Sequence, residues 1–291
     1  MTDKHEFGGM WTKTKLLALK DYLEFYTMAL KGTPFQLMYI DAFAGTGRIT
    51  IEDMGQEDPE SHEFLNGSAR NALELKHPFD RYVFIERASK HVSALNELKD
   101  EYPDANIHIC QGDANQEIRR IAMETDWRSW RAVVFLDPYG AQVEWETLEQ
   151  LARTKCVDVW LLVPFGIAYN RMLPNSADVP DGWAKRLSAA FGTDEWKEAA
   201  YEEVTVTLDM FERTDTELRR RKLEDIEQWF EERLNGLFPR VSAPIYLKNA
   251  NGSWLYSLYF AVANPNPKAQ GLAFKVADYI IKKFGDKRGT K

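Results

Sequence analysis

The sequence predicts an α/β fold: a doubly wound, mostly parallel sheet that closes with a C-terminal antiparallel hairpin. Three observations predict it. Short apolar runs alternate with helix-period stretches from Leu37 to Val163. Acidic residues and glycines stand at the carboxyl ends of those runs, where open α/β sheets hold their ligands. Near the C-terminus, two strand-like runs flank Asn251-Gly252, a hairpin signal. The 291 residues can bury a large core and read as one domain, 1–291, with a helical insertion over 165–238.

The elements follow in order. From Trp11 to Lys31 the apolar residues Leu16, Leu19, Leu23, Tyr26 and Leu30 advance in steps of three and four, which predicts an amphipathic helix ended by Gly32 and Pro34. Phe7-Gly8-Gly9 before it reads equally as a frayed end or as a close backbone approach to a ligand. Leu37 to Ile40 is a buried strand that runs into Asp41 and then Gly45-Thr46-Gly47. The polar stretch from Ile51 to Glu63 reads as an exposed loop. A short helix from Ser68, a strand Tyr82–Ile85, a helix Ser89–Asp100, a strand Asn106–Cys110 and a helix Gln116–Met123 come next. Then come a strand Ala132–Leu136, a helix Glu144–Arg153 and a strand Val157–Val163 stopped by Pro164 and Gly166.

Periodicity weakens from Phe165 to Phe211, which reads as a variable insertion over the ligand edge of the sheet, where substrate would be chosen, or equally as an inert cover. Thr214-Asp215-Thr216-Glu217 has the form of a capping box and predicts a helix from there to Gly236. The cluster Arg219-Arg220-Arg221-Lys222 reads as a solvated face of that helix in preference to a phosphate contact. A last helix is predicted over Ala269–Phe284.

Four strand-end turns carry the chemistry. The acidic residue and two glycines of Asp41-Ala42-Phe43-Ala44-Gly45-Thr46-Gly47 expose backbone amides in a tight turn, as a nucleotide-like ligand requires. Glu86 ends the second strand, where a carboxylate accepts from both hydroxyls of a ribose; taken alone, it reads as a surface carboxylate. Asp113, after Gly112, either accepts from an adenine amino group or caps the following helix. Asp137-Pro138-Tyr139-Gly140 ends the fourth strand. There a carboxylate and a proline-fixed carbonyl could accept two N–H bonds while the aromatic ring stacks, a set suited to a planar substrate with an amino group; the alternative reading is a plain strand-end turn with proline.

Composition narrows the class. Hydrophobic residues at 44%, with no apolar run of about 18 residues, predict a soluble protein without a membrane span. The N-terminal stretch lacks the apolar core of a secretion signal, which predicts a cytoplasmic protein. A net charge of −8 argues against a uniformly basic nucleic-acid coat and leaves room for a local basic groove. Cys110 and Cys156 read as buried thiols, and five scattered histidines show no metal-ligand spacing, so no metal is expected. Thr50 stands where the third glycine of a dinucleotide fingerprint would fall, which counts against a nicotinamide enzyme.

Asp41-x-Phe-x-Gly-x-Gly, Glu86, Gly112-Asp113 and Asp137-Pro138-Tyr139-Gly140, in that order, resemble the motifs of Rossmann-like S-adenosylmethionine-dependent methyltransferases. Phe7-Gly8-Gly9-x-Trp11-Thr12, Asp41 to Gly47, Asn66-Gly67-Ser68 and Phe84-Ile85-Glu86 resemble, more narrowly, the three-Cys-motif partner proteins. The resemblance implies a methyl transfer from S-adenosyl-L-methionine to an exocyclic amine, most simply of a nucleic-acid base, DNA or RNA. It further implies that Asp41, Ala44, Gly45 and Gly47 line the methionine end of the cofactor, Glu86 its ribose, and Asp113 and Ala114 its adenine. Asp137, Pro138 and Tyr139 would be catalytic. A protein partner carrying three cysteines is also implied, and with it the alternative of a cofactor-binding module that is silent by itself.

Overall fold

The structure, a computed structural model, describes residues 9–46, 67–207 and 214–285. The expectations for Phe7, Gly8, Gly47, Asn66 and the stretch from Ile51 to Glu63 lie outside the described residues.

Five parallel strands form the centre: β1 (Gln36–Asp41), β2 (Arg81–Glu86), β3 (Ile107–Gln111), β4 (Trp130–Leu136) and β5 (Val157–Val163). Their spatial order is β3-β2-β1-β4-β5, so the chain reverses direction across the sheet between β1 and β4. The sheet continues antiparallel with β10 (Trp254–Val262) beside β5. The outer edge of β10 carries two short strands, β8 (Arg240–Val241) and β9 (Ile245–Lys248). The predicted hairpin is therefore β9 and β10, and Ser242 bridges the gap between β8 and β9 by accepting from the Phe260 amide at 3.1 Å.

Both faces of the sheet are buried, which is why its strands read as continuous apolar runs with little alternation. Leu37, Tyr39, Val133, Phe135, Trp160 and Phe260 point to one face. There they meet α1 (Gly9–Leu30), α2 (Ser68–Leu73), α3 (Ser89–Glu101) and α9 (Pro267–Phe284). Met38, Ile40, Val134, Leu136, Val159 and Tyr259 point to the other. That face is covered by α4 (Ala114–Glu124), α5 (Trp145–Thr154) and the segment from Phe165 to Phe238.

That segment holds a π-helical turn (Phe165–Tyr169), α6 (Asp181–Phe191), α7 (Trp196–Ala200), an antiparallel pair β6 (Tyr201–Thr207) and β7 (Thr214–Arg220), and α8 (Leu223–Leu237). The stretch is thus not wholly helical, and Thr214 to Glu217 does not cap a helix. Cross-strand pairing decides this: Glu202 faces Arg219 and Glu203 faces Leu218, and α8 begins only at Leu223. A local capping signal of about 1 kcal/mol yields to a ladder of seven residue pairs. The segment belongs to the core. Phe165, Phe191 and Phe230 are buried, with the Phe230 ring 5.6 Å from Phe165 and 5.9 Å from Phe191. Glu227 of α8 is fully buried, and accepts from Ser257 Oγ at 2.5 Å and from the Tyr259 and Tyr246 hydroxyls at 3.1 Å. These bonds replace the water lost on burial and pin α8 to β9 and β10.

Among the described residues no helix is long and apolar enough to cross a membrane, and no three His, Cys, Asp or Glu side chains group so as to hold a metal ion. Cys110 and Cys156 are half-buried free thiols, and burial raises both above the ordinary thiol range.

Candidate active site at the carboxyl edge of the sheet

The carboxyl ends of β1, β2, β3 and β4 open into one cleft of about 1060 Å³. It lies at the point where the strand order reverses, the place an open α/β sheet offers to a ligand. Ala44, Gly45, Glu86, Asp113, Ala114, Asp137, Pro138 and Tyr139 all line it.

The turn after β1 is held by its neighbour. Gly45 has φ of +58°, a left-handed conformation that suits glycine, and its amide donates to Glu86 Oε2 at 3.0 Å. Glu86 Oε1 accepts from the Arg87 and Ala88 amides at 2.8 and 2.7 Å. The Glu86 carboxylate is therefore fixed by three backbone donors on the wall of the cleft. His91 Nδ1 stands 3.6 Å away.

Asp113 unites the two readings the sequence left open. Its Oδ1 caps α4, accepting from the Asn115 and Gln116 amides at 3.0 and 3.2 Å, while the residue still lines the cleft. Asn115 ties this strand end to the next: it donates to the Gln142 carbonyl at 2.8 Å and accepts from the Glu144 amide at 2.9 Å.

Asp41 stands behind the wall and does not line the cleft. It is fully buried, and Oδ2 accepts from Ser68 Oγ at 2.5 Å and from the Tyr39 hydroxyl at 3.3 Å. Burial pushes its carboxyl up to about 7; the Asp137 charge adds to the rise and the Ser68 hydrogen bond opposes it. Ser68, its hydrogen-bond donor, does line the cleft.

At the end of β4, Asp137 Oδ2 meets Lys15 Nζ at 2.5 Å. Tyr139 is 96% exposed, and its amide donates to Gln142 Oε1 at 3.1 Å. The ring therefore stands at the mouth of the cleft on a fixed backbone. Opposite lies an aromatic pair, Trp11 of α1 stacked on Tyr256 of β10 with ring centres 4.8 Å apart, and Lys15 Nζ is 5.2 Å from the Trp11 ring. Burial, then the Asp137 and Tyr139 charges, push the Tyr256 hydroxyl up to about 12. It stays a neutral donor.

No protein-family model matches the chain, and no curated protein matches it by sequence. In structure the chain is similar to a Legionella pneumophila str. Philadelphia 1 protein, with 12% identity, TM-score 0.51, and coverage of 95% of this chain and 93% of that one. It is also similar, at lower scores, to an S-adenosylmethionine-dependent methyltransferase from Clostridium acetobutylicum (10% identity, 84% and 92% coverage, TM-score 0.36). A third similar structure is the O-methyltransferase from Bacillus cereus in complex with SAH (12% identity, 84% and 80% coverage, TM-score 0.38). The fold is Rossmann-like, a doubly wound parallel sheet extended by an antiparallel strand beside β5.

The residues that sequence reasoning missed come from outside the strand ends. Lys15 had a visible signal. It shares the buried face of α1 with Ala18, Leu19, Tyr22, Leu23 and Tyr26, so a lysine stands where the helix period calls for an apolar residue. Trp11 and Ser68 stand in the motifs that carry the narrower resemblance but were given no role in the site, and Tyr256 carries no mark at all, because only packing brings its strand to the cleft.

Proposed function

We propose that the protein is an S-adenosylmethionine-dependent methyltransferase that acts on an exocyclic amine, with a nucleic-acid base as the acceptor. The observation that carries this reading is the convergence of four strand-end turns on one cleft. Gly45, Glu86 and Asp113 lie on its wall beside Asp137-Pro138-Tyr139.

The residues present suit the cofactor. Among the described residues nothing lies within 4 Å of where a Cβ on Gly45 would stand, so its backbone suits a close approach. Glu86 is set to accept from a ribose hydroxyl, and Asp113 and Ala114 border the space beside it for an adenine. S-adenosylmethionine supplies a methyl group made electrophilic by its sulfonium. The protein supplies alignment, which is worth several kcal/mol of a bimolecular barrier.

Asp137 and the Pro138 carbonyl accept the N–H bonds of the amine and turn its lone pair inward. Their oxygens then stabilise the positive charge that grows on nitrogen. Tyr139, free at the mouth, stacks on the ring that carries the amine. Lys15 holds one Asp137 oxygen, so the other is the one turned to the amine.

A second reading draws on the same Lys15–Asp137 pair. A carboxylate already matched by a lysine suits a cofactor-binding module that stays silent until a protein partner, such as one carrying a three-cysteine motif, rearranges it. In that case the chain would belong with the three-Cys-motif partner proteins.

Two experiments decide. Calorimetry with S-adenosylmethionine against NAD should give binding of the first alone. Incubation of the chain with labelled cofactor and total cellular DNA, RNA and protein should place label in a nucleic-acid fraction. Label in protein alone would rule out the base acceptor, and cofactor binding without label anywhere would favour the silent module.

A further inference from the structure

Most of the charges in the cleft are matched internally. Lys15 is paired with Asp137, Glu144 with Arg119 at 2.6 Å, and Glu86 with three amides. Lys185 and Arg186 are not: both line the cleft from α6, both are exposed, and neither side chain bonds to a described residue. They belong to a single helical face. Gly182, Lys185, Arg186, Ala189 and Ala190 are the α6 residues that line the cleft, spaced i, i+3, i+4, i+7 and i+8. That face consists of two cations between small residues, so it offers positive charge without bulk. Arg87, equally unpaired, lines the cleft after β2.

The setting makes these cations selective. The chain carries a net charge of −8, so most of its surface repels a polyanion. S-adenosylmethionine has a net positive charge and a single carboxylate, so a wall of several cations matches it poorly, whereas a phosphorylated acceptor matches it along its length. Lys and Arg side by side suit successive phosphate oxygens, the arginine binding two at once. A base edge held by Asp137 at the bottom of a cleft also has to leave a duplex to arrive there.

We propose that the cleft-facing side of α6 is a phosphodiester-binding wall that holds a single-stranded nucleic acid while one base enters toward Asp137. This rests on the methyl-transfer reading for the identity of the site and adds the class of acceptor and the residues that grip it. Gly182, Ala189 and Ala190 let the strand lie close, and Lys185 and Arg186 hold its phosphates.

The test is fluorescence anisotropy with short labelled single-stranded RNA and DNA oligonucleotides and a matched duplex, without cofactor. The natural chain should bind a single strand more tightly than the duplex. Lys185→Ala with Arg186→Ala should weaken that binding at least tenfold. The slope of log affinity against log salt should fall by about 1.4, from two phosphates at about 0.7 each on a single strand. Lys275→Ala, on an exposed position of α9, should change neither. Unchanged affinity and slope in the double variant, no binding by the natural chain, or duplex binding as tight as single-strand binding would each overturn the proposal. A chain that binds S-adenosylmethionine but not the strand loses only the grip, and a chain that binds the strand but not S-adenosylmethionine loses only the methyltransferase reading.

Discussion

Lys15 Nζ and Asp137 Oδ2 lie 2.5 Å apart, although the two residues are 122 positions apart in sequence. Their side chains are 7% and 23% exposed, so the pair sits mostly out of water, at the junction of α1 with the end of β4. It ties the N-terminal helix to the turn that carries the proposed chemistry.

Asp137→Ala should abolish methyl transfer and leave cofactor affinity close to that of the natural chain, because the proposed mechanism sets Asp137 against the amine and not against the cofactor. A labelled-methyl assay beside calorimetry checks both, and transfer at the normal rate would remove Asp137 from the mechanism. Lys15→Met should cost about 1–3 kcal/mol of stability, less than the 3–5 of a fully buried pair because water still reaches Asp137. Urea unfolding of the single variants and of Lys15→Met/Asp137→Asn checks this, and the double variant should recover part of the loss.

Glu86→Gln should weaken cofactor binding at least tenfold in a calorimetric titration. The carboxylate accepts from Gly45, Arg87 and Ala88 amides, and a glutamine presents one NH₂ group to donors that require an oxygen. The turn that displays Gly45 then loses an anchor, so affinity falls even where the ribose contact survives.

Two glycine substitutions should differ in cost for a geometric reason. A Cβ on Gly166 would stand 1.9 Å from the Trp254 carbonyl oxygen, where the π-helical turn crosses β10. Backbone cannot step aside there, and Gly166→Ala should destabilise by about 3 kcal/mol or prevent folding. Gly45→Ala meets no atom of the described residues and carries the strain of its positive φ, about 1–2 kcal/mol. Thermal and urea unfolding of the two variants should rank them in that order.

Stability should fall as pH rises toward neutrality, through Asp158. It accepts from the Tyr22 hydroxyl at 2.6 Å, and burial pushes its carboxyl up to about 7, with the Tyr22 hydrogen bond opposing the rise. The folded state thus holds a proton that the unfolded chain has already released. This contribution is fully present below the ordinary carboxylate range and is lost as pH climbs through about 7. The slope from one such group approaches about 1.4 kcal/mol per pH unit between about pH 4 and 7. Asp158→Asn should flatten the profile by that amount in urea unfolding series. An unchanged profile would show that Asp158 keeps its ordinary affinity for protons.

Much of the fold was legible in the chain because parallel strands buried on both faces leave an unbroken apolar signature, as in Ala132 to Leu136. The acidic and glycine-bearing residues that follow such runs were legible too, since a parallel sheet brings every carboxyl end to the same edge. Thr214 to Glu217 was misread because a capping box and a short strand share their residues, and only the partner strand separates them. Asp41 was assigned to the cleft by the motif; the fold turned it inward onto Ser68 and left the wall to its neighbours.

Local order along the chain was enough to set the strand succession, the turns after β1 to β4 and the place where they meet, because these depend on period and on residue type. The partners that complete the site depended on packing. Lys15 reached Asp137, Trp11 reached Tyr256 and α6 turned two cations to the cleft only once helices far apart in sequence were laid on the sheet, and no local pattern encodes a distance between elements that the chain does not join directly.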